Sequence, residues 1–384
     1  MNININSRAS NIIAFFLQDL DGGGAERAII RLAGEIAELG YSVDLVVGDA
    51  SDYRPEVSEK INLLDFATRS PFSVFSRLTS YLRYRKPVVI MSALDLANIM
   101  LLLAVNLVGF KGRKVISQRA VFDAGLRDLN PIRRMLTWQL IRVCFPHADA
   151  LISNSHAAAL EVKARLDIPA DKIFTIQNAI DLTRITQLAQ EPLSDHLVLN
   201  DTVPLIVSVG SLTKRKDMST LIQSFALVRA QRTSRLVVVG KGPEMPILES
   251  LIKELGLEGS AHLVGFDANP YKWIAAASVF VSSSMEEGFP NVIAEALTIG
   301  RSVVATDCPG DTAELLGHGK WGRLVPVGDT ENMAEAILAA LDDPSPPQGH
   351  IRAADFSPSK NAAAYLDVLL PQKSSTMSAF SGYV

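Results

Sequence analysis

Cysteine is nearly absent: Cys144 and Cys308 are the only two in 384 residues. That is too few for a disulfide framework or a thiolate metal site, so a reduced, cytoplasmic protein is expected. The six histidines are scattered without ligand spacing, and no metal is expected. A strong excess of one charge is also missing. Lys and Arg number 37 against 41 Asp and Glu, and a formal net charge of −4 excludes a general nucleic-acid binder. Residues 1–11 lack the basic start and long apolar core of a signal peptide. The longest apolar stretch, Val88 to Phe110, is interrupted by Asp95, Asn98 and Asn106. It reads as a buried strand, Val88 to Ala93, followed by a helix, and not as a membrane span.

What the chain does have is 48% hydrophobic residues over a length that suits two packed cores. Short apolar runs alternate with helical periods, the pattern of parallel sheets covered by helices on both faces. Strands are predicted at Ile12 to Leu17, Val43 to Val47, Val88 to Met91, Val115 to Ser117, Ala150 to Ser153 and Ile173 to Gln177. The pattern restarts at Leu205 to Val209. It continues at Leu236 to Val239, His262 to Val264, Val279 to Ser283, Ser302 to Thr306 and Leu324 to Val325. The expected fold is α/β, with two Rossmann-like domains facing a central ligand cleft. Residues 1–185 form the first, 200–355 the second, and 356–384 a last helix returning to the first domain plus a frayed tail. The seam is expected between Asp181 and Val203, where periodicity lapses.

Two carboxylates stand out. Glu287 and Glu295 bracket the run Gly288-Phe289-Pro290-Asn291-Val292-Ile293-Ala294, directly after an apolar strand. Pro290 suits a first helical turn and Gly300 a C-terminal stop, so a short helix should start near Pro290. Glu287 then lies in the loop and Glu295 on the second turn. The free backbone N–H groups between them offer an anion site, with one carboxylate on either side of a bound phosphate.

This Glu-x7-Glu run resembles the signature of the family 4 retaining glycosyltransferases of the GT-B fold. The resemblance spans about Ile12 to Asp342, with stronger motifs in the second half. It implies that Glu287 contacts the transferred sugar and Glu295 the ribose, while the backbone of Gly288, Phe289, Asn291 and Val292 meets the pyrophosphate. Gly210-Ser211-Leu212-Thr213-Lys214-Arg215-Lys216 is similar to the segment in which an Arg and a Lys neutralise that pyrophosphate. Lys216 holds the Lys position. Ser211 stands where Arg is usual, so Lys214 or Arg215 would have to reach in. Val264-Gly265-Phe266 is similar to the strand end that reads the base, and Gly240-Lys241-Gly242-Pro243 to a loop near the nucleotide. Thr306-Asp307-Cys308-Pro309-Gly310 with Glu314 also matches, with Asp311 replacing a small residue. Asn178-Ala179-Ile180-Asp181 is similar to the ending of the first domain.

In the first half, Gly22-Gly23-Gly24-Ala25-Glu26 resembles the family's loop facing donor phosphate and acceptor; the glycines let the backbone approach another group closely. Asp19-Leu20-Asp21 has the look of a metal-binding Asp-x-Asp, but the resemblance implies no metal and no cofactor beyond the donor. The family's histidine after the later strand is missing. Ile116-Ser117-Gln118-Arg119-Ala120 stands there, as in branches acting on polysaccharides and lipid-linked glycans, and assigns Arg119 to donor or acceptor.

The implied activity is transfer of a hexose or N-acetylhexosamine, with retention, from a nucleoside diphosphate sugar, UDP-linked by preference, to a hydroxyl of a growing glycan. Glu287 and Lys216 would be catalytic. An epimerase or hydrolase of the same fold, or a noncatalytic nucleotide-sugar-binding protein, are the alternatives. From Arg69 to Arg142 there are 13 basic residues against three acidic, a local balance of +10 in an acidic chain. Within it Phe72, Phe75, Leu78 and Leu82 alternate with Arg77, Arg83, Arg85 and Lys86, followed by Arg127, Arg133, Arg134 and Arg142. This predicts peripheral attachment to an anionic membrane at its cytoplasmic face.

Overall fold

The computed structural model describes residues 12–20, 24–50, 57–119, 130–193 and 203–371. The chain divides into two compact units. Unit 1 takes residues 1–154, 158–176 and 358–384, and unit 2 takes 155–157 and 177–357. The division therefore falls at 176/177, ahead of the expected seam at 181–203.

Unit 1 is a seven-stranded parallel sheet in the order β3-β2-β1-β4-β5-β6-β7. Its strands are β1 (Ile12–Asp19), β2 (Ser42–Asp49), β3 (Asn62–Asp65), β4 (Val89–Ala93), β5 (Arg113–Gln118), β6 (Ala150–Ser153) and β7 (Ile173–Thr175). The helices are α1 (Gly24–Glu38), α2 (Pro71–Arg85), α3 (Asp95–Val108), α4 (Pro131–Cys144) and α5 (His156–Arg165), the last with its first two residues, His156 and Ala157, in unit 2. Side chains alternate across each strand, so β1 feeds two cores. Ile13, Phe15 and Leu17 pack with Ile29 and Ile36 of α1, while Ala14 and Phe16 pack with Leu78 of α2 and Leu101 of α3. Each such fully buried side chain contributes about 1.5–3 kcal/mol relative to exposure. The predicted strands are all present; β3 was not predicted, being four residues at the sheet edge.

Unit 2 opens with α6 (Leu182–Ala189) and holds a six-stranded parallel sheet, β10-β9-β8-β11-β12-β13. Its strands are β8 (Leu205–Val209), β9 (Arg235–Val239), β10 (Ala261–Gly265), β11 (Val279–Ser282), β12 (Ser302–Thr306) and β13 (Arg323–Val325). The helices between them are α7 (Met218–Gln231), α8 (Met245–Glu254), α9 (Tyr271–Ala276), α10 (Asn291–Ile299), α11 (Thr312–Leu315), α12 (Thr330–Leu341) and α13 (Gly349–Ala353). α6 joins this unit because Ile180 and Ile185 are buried with Phe280, Phe289 and Ile293. The last helix, α14 (Pro358–Leu369), belongs to unit 1, where it packs on α1 and buries Tyr365 and Leu369.

In each sheet the strand order reverses once, between β1 and β4 in unit 1 and between β8 and β11 in unit 2. Open α/β sheets place their ligands outside the carboxyl ends of the strands at such a reversal. The loops that follow β8 and β11 carry Lys216 and Glu287.

Candidate active site

β8 ends at Val209 and runs through Gly210 and Ser211 into a short 3-10 turn, Lys214–Lys216, before α7 begins. Asp217 caps that helix with φ at 44°, its carboxylate accepting from the Thr220 backbone N–H at 3.3 Å and hydroxyl at 2.6 Å. The cap fixes the turn before it. The backbone oxygens of Lys216 and Arg215 then tie it to the β11 loop, accepting from Ser283 Oγ at 2.9 Å and the Met285 N–H at 2.8 Å.

Across from this turn, the Glu287 carboxylate receives three donors. Lys216 Nζ pairs with Oε1, Ser284 Oγ donates to Oε1 at 2.7 Å, and Arg215 Nη1 lies 3.3 Å from Oε2. Arg215 also donates to the Glu286 carbonyl at 3.0 Å. Arg215 therefore does reach in, whereas Ser211 and Lys214 are exposed. Two cations and one buried carboxylate leave this point of the site with positive charge. Ser284 was not singled out in the sequence, although the Ser282-Ser283-Ser284 run behind a strand is an unusual cluster of hydroxyls.

The loop is held from below. Glu287 N–H donates to Pro309 O at 2.9 Å, and Asp311 N–H to Gly288 O at 3.0 Å. Gly310 sits at φ 132°, and a Cβ there would lie 1.8 Å from the Glu287 carbonyl oxygen. Only glycine permits that approach. Asp311 is itself buried and accepts from the His156 N–H and from Gln177 Nε2, each at 2.8 Å. Its hydrogen bond holds the His156 imidazole above the usual histidine range. Burial pushes the Cys308 thiol up, with the Glu287 carboxylate adding to the effect, so Cys308 is no nucleophile.

α10 begins at Asn291 with Pro290 before it and ends at Gly300 in the left-handed conformation, as its sequence predicts. One expectation is corrected here. The Asn291 N–H is not free, because it donates to Phe289 O at 3.0 Å, and the Asn291 side chain receives Asn178 Nδ2 at 3.1 Å. The Phe289 ring is buried against Phe356, leaving only its backbone for a ligand. Val292 is half-buried on the first turn, and Glu295 on the second turn lies 3.4 Å from Tyr271 Oη. Tyr271 is a further neighbour that the sequence did not mark.

Gly240 receives its place from the same close packing, since a Cβ there would lie 1.8 Å from Gly210 O. Its N–H donates to Gly265 O at 2.8 Å, joining the ends of β8, β9 and β10. Val264 is half-buried on β10, while Phe266 just beyond it is 67% exposed with Lys241 Nζ 5.1 Å from its ring centroid.

In unit 1, Arg119 Nη1 donates to Tyr365 Oη at 3.1 Å, which anchors Arg119 to α14. Gly24 opens α1; Gly22, Gly23 and Asp21 lie outside the described residues, as does Arg127. Leu94, between β4 and α3, has φ 76°, a strained value for leucine. Beside it, burial raises the Asp95 carboxyl to about 6 despite a hydrogen bond from Gln118. Among the described residues no group of three or more His, Cys, Asp or Glu is placed to hold a metal ion.

Residues 203–343 match the family described as Glycosyl transferases group 1, and residues 22–184 match Glycosyltransferase Family 4. Over 342 residues the chain is 32% identical to the N-acetylgalactosamine-N,N'-diacetylbacillosaminyl-diphospho-undecaprenol 4-alpha-N-acetylgalactosaminyltransferase of Campylobacter jejuni, covering 86% of this chain and 90% of that protein. It is 25% identical over 328 residues to the lipopolysaccharide core biosynthesis glycosyltransferase LpsE of Rhizobium meliloti, covering 84% and 87% of the two chains. Anabaena HepE in complex with UDP superposes with a TM-score of 0.73 at 19% identity, covering 94% of this chain and 99% of that one. The lipopolysaccharide outer core galactosyltransferase WaaB gives 0.72 at 16% identity, with 93% and 98% covered. At those identities the structural likeness speaks for the fold, which is GT-B. The chain belongs to glycosyltransferase family 4, as an enzyme that transfers a sugar from a nucleotide sugar.

Proposed function

We propose that this enzyme moves an N-acetylhexosamine or hexose, with retention, from a UDP-linked donor to a hydroxyl of a lipid-linked glycan. The observation that carries this reading is the convergence of Lys216, Arg215 and Ser284 on Glu287 at the strand-order reversal of unit 2. A diphosphate entering here meets Lys216 and Arg215, with the Val292 N–H on the first turn of α10 as a further donor, since the Asn291 and Ile293 N–H groups are already bonded. Glu287, freed from part of its pairing, accepts from sugar hydroxyls. Glu295 accepts from ribose, and the backbone of Val264 and Phe266 meets the base.

The bond from the anomeric carbon to the donor β-phosphate oxygen breaks as the acceptor oxygen bonds to that carbon on the same face. The acceptor proton passes to the departing phosphate. Lys216 and Arg215 stabilise the charge that builds on the diphosphate, a preorganised electrostatic role that needs no metal. The amino sugar and the lipid diphosphate acceptor are supported by the Campylobacter relative, whose name carries both. Such an acceptor, used with a nucleotide sugar, supports action at the cytoplasmic face of a membrane.

The test is incubation with a panel of labelled UDP-sugars and a lipid diphosphate-linked glycan. A new glycan retaining the donor's anomeric configuration is expected. Epimer formation, release of free sugar only, or binding without turnover contradicts the reading.

A further inference from the structure

The basic stretch of unit 1 presents only part of the surface that its sequence alternation suggests: Phe72, Arg83 and Lys86 are exposed, but the rest is taken up by the fold. In α2, Leu78 and Leu82 are buried in the core. Arg85 is paired with the buried Asp44 at 2.9 Å, and Arg77 donates to the Phe66 carbonyl. Of the apolar residues expected on that surface, Phe72 is the one fully exposed.

α4 is different. Its inner side is accounted for: Ile141 and Cys144 are buried, and half-buried Trp138 packs beside them with Arg165 over its ring. Its outer side is apolar as well. Ile132, Leu136, Leu140 and Val143 follow one another at helical spacing, with Met135 alongside, and all are 43–69% exposed. A helix that is apolar on both sides is normally enclosed by other elements. Neighbouring α3, which packs on α4, repeats the feature with Leu103 and Leu107 exposed one turn apart.

The charges say what covers this row. α4 contains three arginines and no acidic residue. At 3.6 residues per turn, Arg133 and Arg142 fall about a quarter turn to either side of the row. An apolar strip edged by arginines is the layout of a helix lying in a lipid interface, with guanidinium groups at headgroup level and the strip among the acyl chains. A second copy of the chain fits poorly, because a two-fold contact sets this cationic helix against itself. We infer that α4 docks unit 1 onto an anionic lipid surface, with Ile132, Leu136, Leu140 and Val143 inserted and Arg133 and Arg142 on the headgroups. The inference deepens the proposed action on a lipid-linked acceptor and rests on that reading for its purpose. Among the described residues no helix is long and apolar enough to cross a membrane, so contact through α4 would be peripheral.

The experiment is flotation of the full-length protein with phosphatidylcholine vesicles, with and without phosphatidylglycerol, at low and high salt. Wild type should bind the anionic vesicles roughly tenfold or more over the neutral ones and release as salt rises. Leu136→Glu should lose that binding, and Arg133→Glu with Arg142→Glu should lose it too. Thermal melting and UDP affinity should be unchanged in both, since these side chains point to solvent and lie outside the donor site. No flotation on anionic vesicles at low salt overturns the inference. So does wild-type flotation by Leu136→Glu, or a concentration-dependent dimer that Leu136→Glu dissociates. Sugar transfer to a short water-soluble acceptor is measured in parallel. Transfer without flotation sinks only the membrane surface, whereas flotation without transfer from any nucleotide sugar supports the surface and sinks the transferase reading.

Discussion

Lys216 and Glu287 stand 71 positions apart and form an ion pair whose side chains are only 12% and 7% exposed. They meet because the strands before them, β8 and β11, are neighbours in the sheet of unit 2 and end on the same edge. A buried ion pair is an inefficient way to add stability, because desolvation consumes most of the Coulombic gain. At a strand-order reversal it has another use. Each partner is a charged group already stripped of water, and a donor that brings phosphate to Lys216 and hydroxyls to Glu287 substitutes for each in turn.

Lys216→Ala should therefore act on phosphate before base. Affinity for UDP is expected to fall about tenfold to a hundredfold, the worth of one charged hydrogen bond, while affinity for uridine stays near wild type. Calorimetric titration of the two ligands decides it; equal losses would remove Lys216 from the phosphate. The melting temperature should also drop, since Glu287 is left with less compensation in a buried place.

Ser211 is exposed and carries no charge, and Arg215 reaches Glu287 from four residues on. If Arg215 provides the second cation, Arg215→Ala should lower kcat/KM by about tenfold or more. Adding Ser211→Arg to that variant should restore part of the loss. Loss without any rescue would point to Arg215 holding the Glu286–Glu287 loop in place instead.

Gly310→Ala tests the support beneath that loop. The added methyl carbon falls 1.8 Å from Glu287 O, closer than any relaxation of a side chain can relieve, so the backbone must move. Turnover should fall with little change in the secondary structure seen by circular dichroism. Stability should drop by about 1–3 kcal/mol, as for other overpacked sites. An alanine variant with wild-type turnover would mean that the position of Glu287 is not critical.

Much of this arrangement was legible in the sequence because its signals are local. Pro290 and Gly300 delimit α10, and the apolar runs mark the strands. What sequence could not show depends on which side of an element meets the core. The alternation of apolar and basic residues in α2 fits a membrane face equally well, and only the sheet beneath it shows Leu78 and Leu82 turned inward. The row on α4 is local in the same way, but its exposure depends on Ile141 and Cys144 taking the inner side of that helix. Long-range contacts were invisible for the same reason: nothing local to Asp311 announces its bonds to the 155–157 segment and Gln177, and nothing near Ile180 announces that α6 packs with unit 2.

Asp95 gives a pH dependence with a definite sign. Burial raises its folded carboxyl from 3.8 to about 6, so between those values the folded chain binds more protons than the unfolded one. This group's contribution to stability is therefore most favourable below pH 4 and declines as pH rises to about 6, after which the penalty is constant. Asp95→Asn removes that dependence. Its melting temperature relative to wild type should be higher at pH 8 than at pH 4; an equal difference at both pH values would show that Asp95 titrates normally.

The central claim is that the carboxylates flanking the start of α10 serve the transferred sugar and the ribose separately. The most direct measurement is steady-state transfer from a labelled UDP-sugar by Glu287→Ala and Glu295→Ala, alongside titration of each with UDP. The account predicts that Glu287→Ala lowers kcat by about a hundredfold with UDP affinity nearly intact, and that Glu295→Ala chiefly weakens UDP binding. Wild-type turnover and affinity in both variants would contradict it.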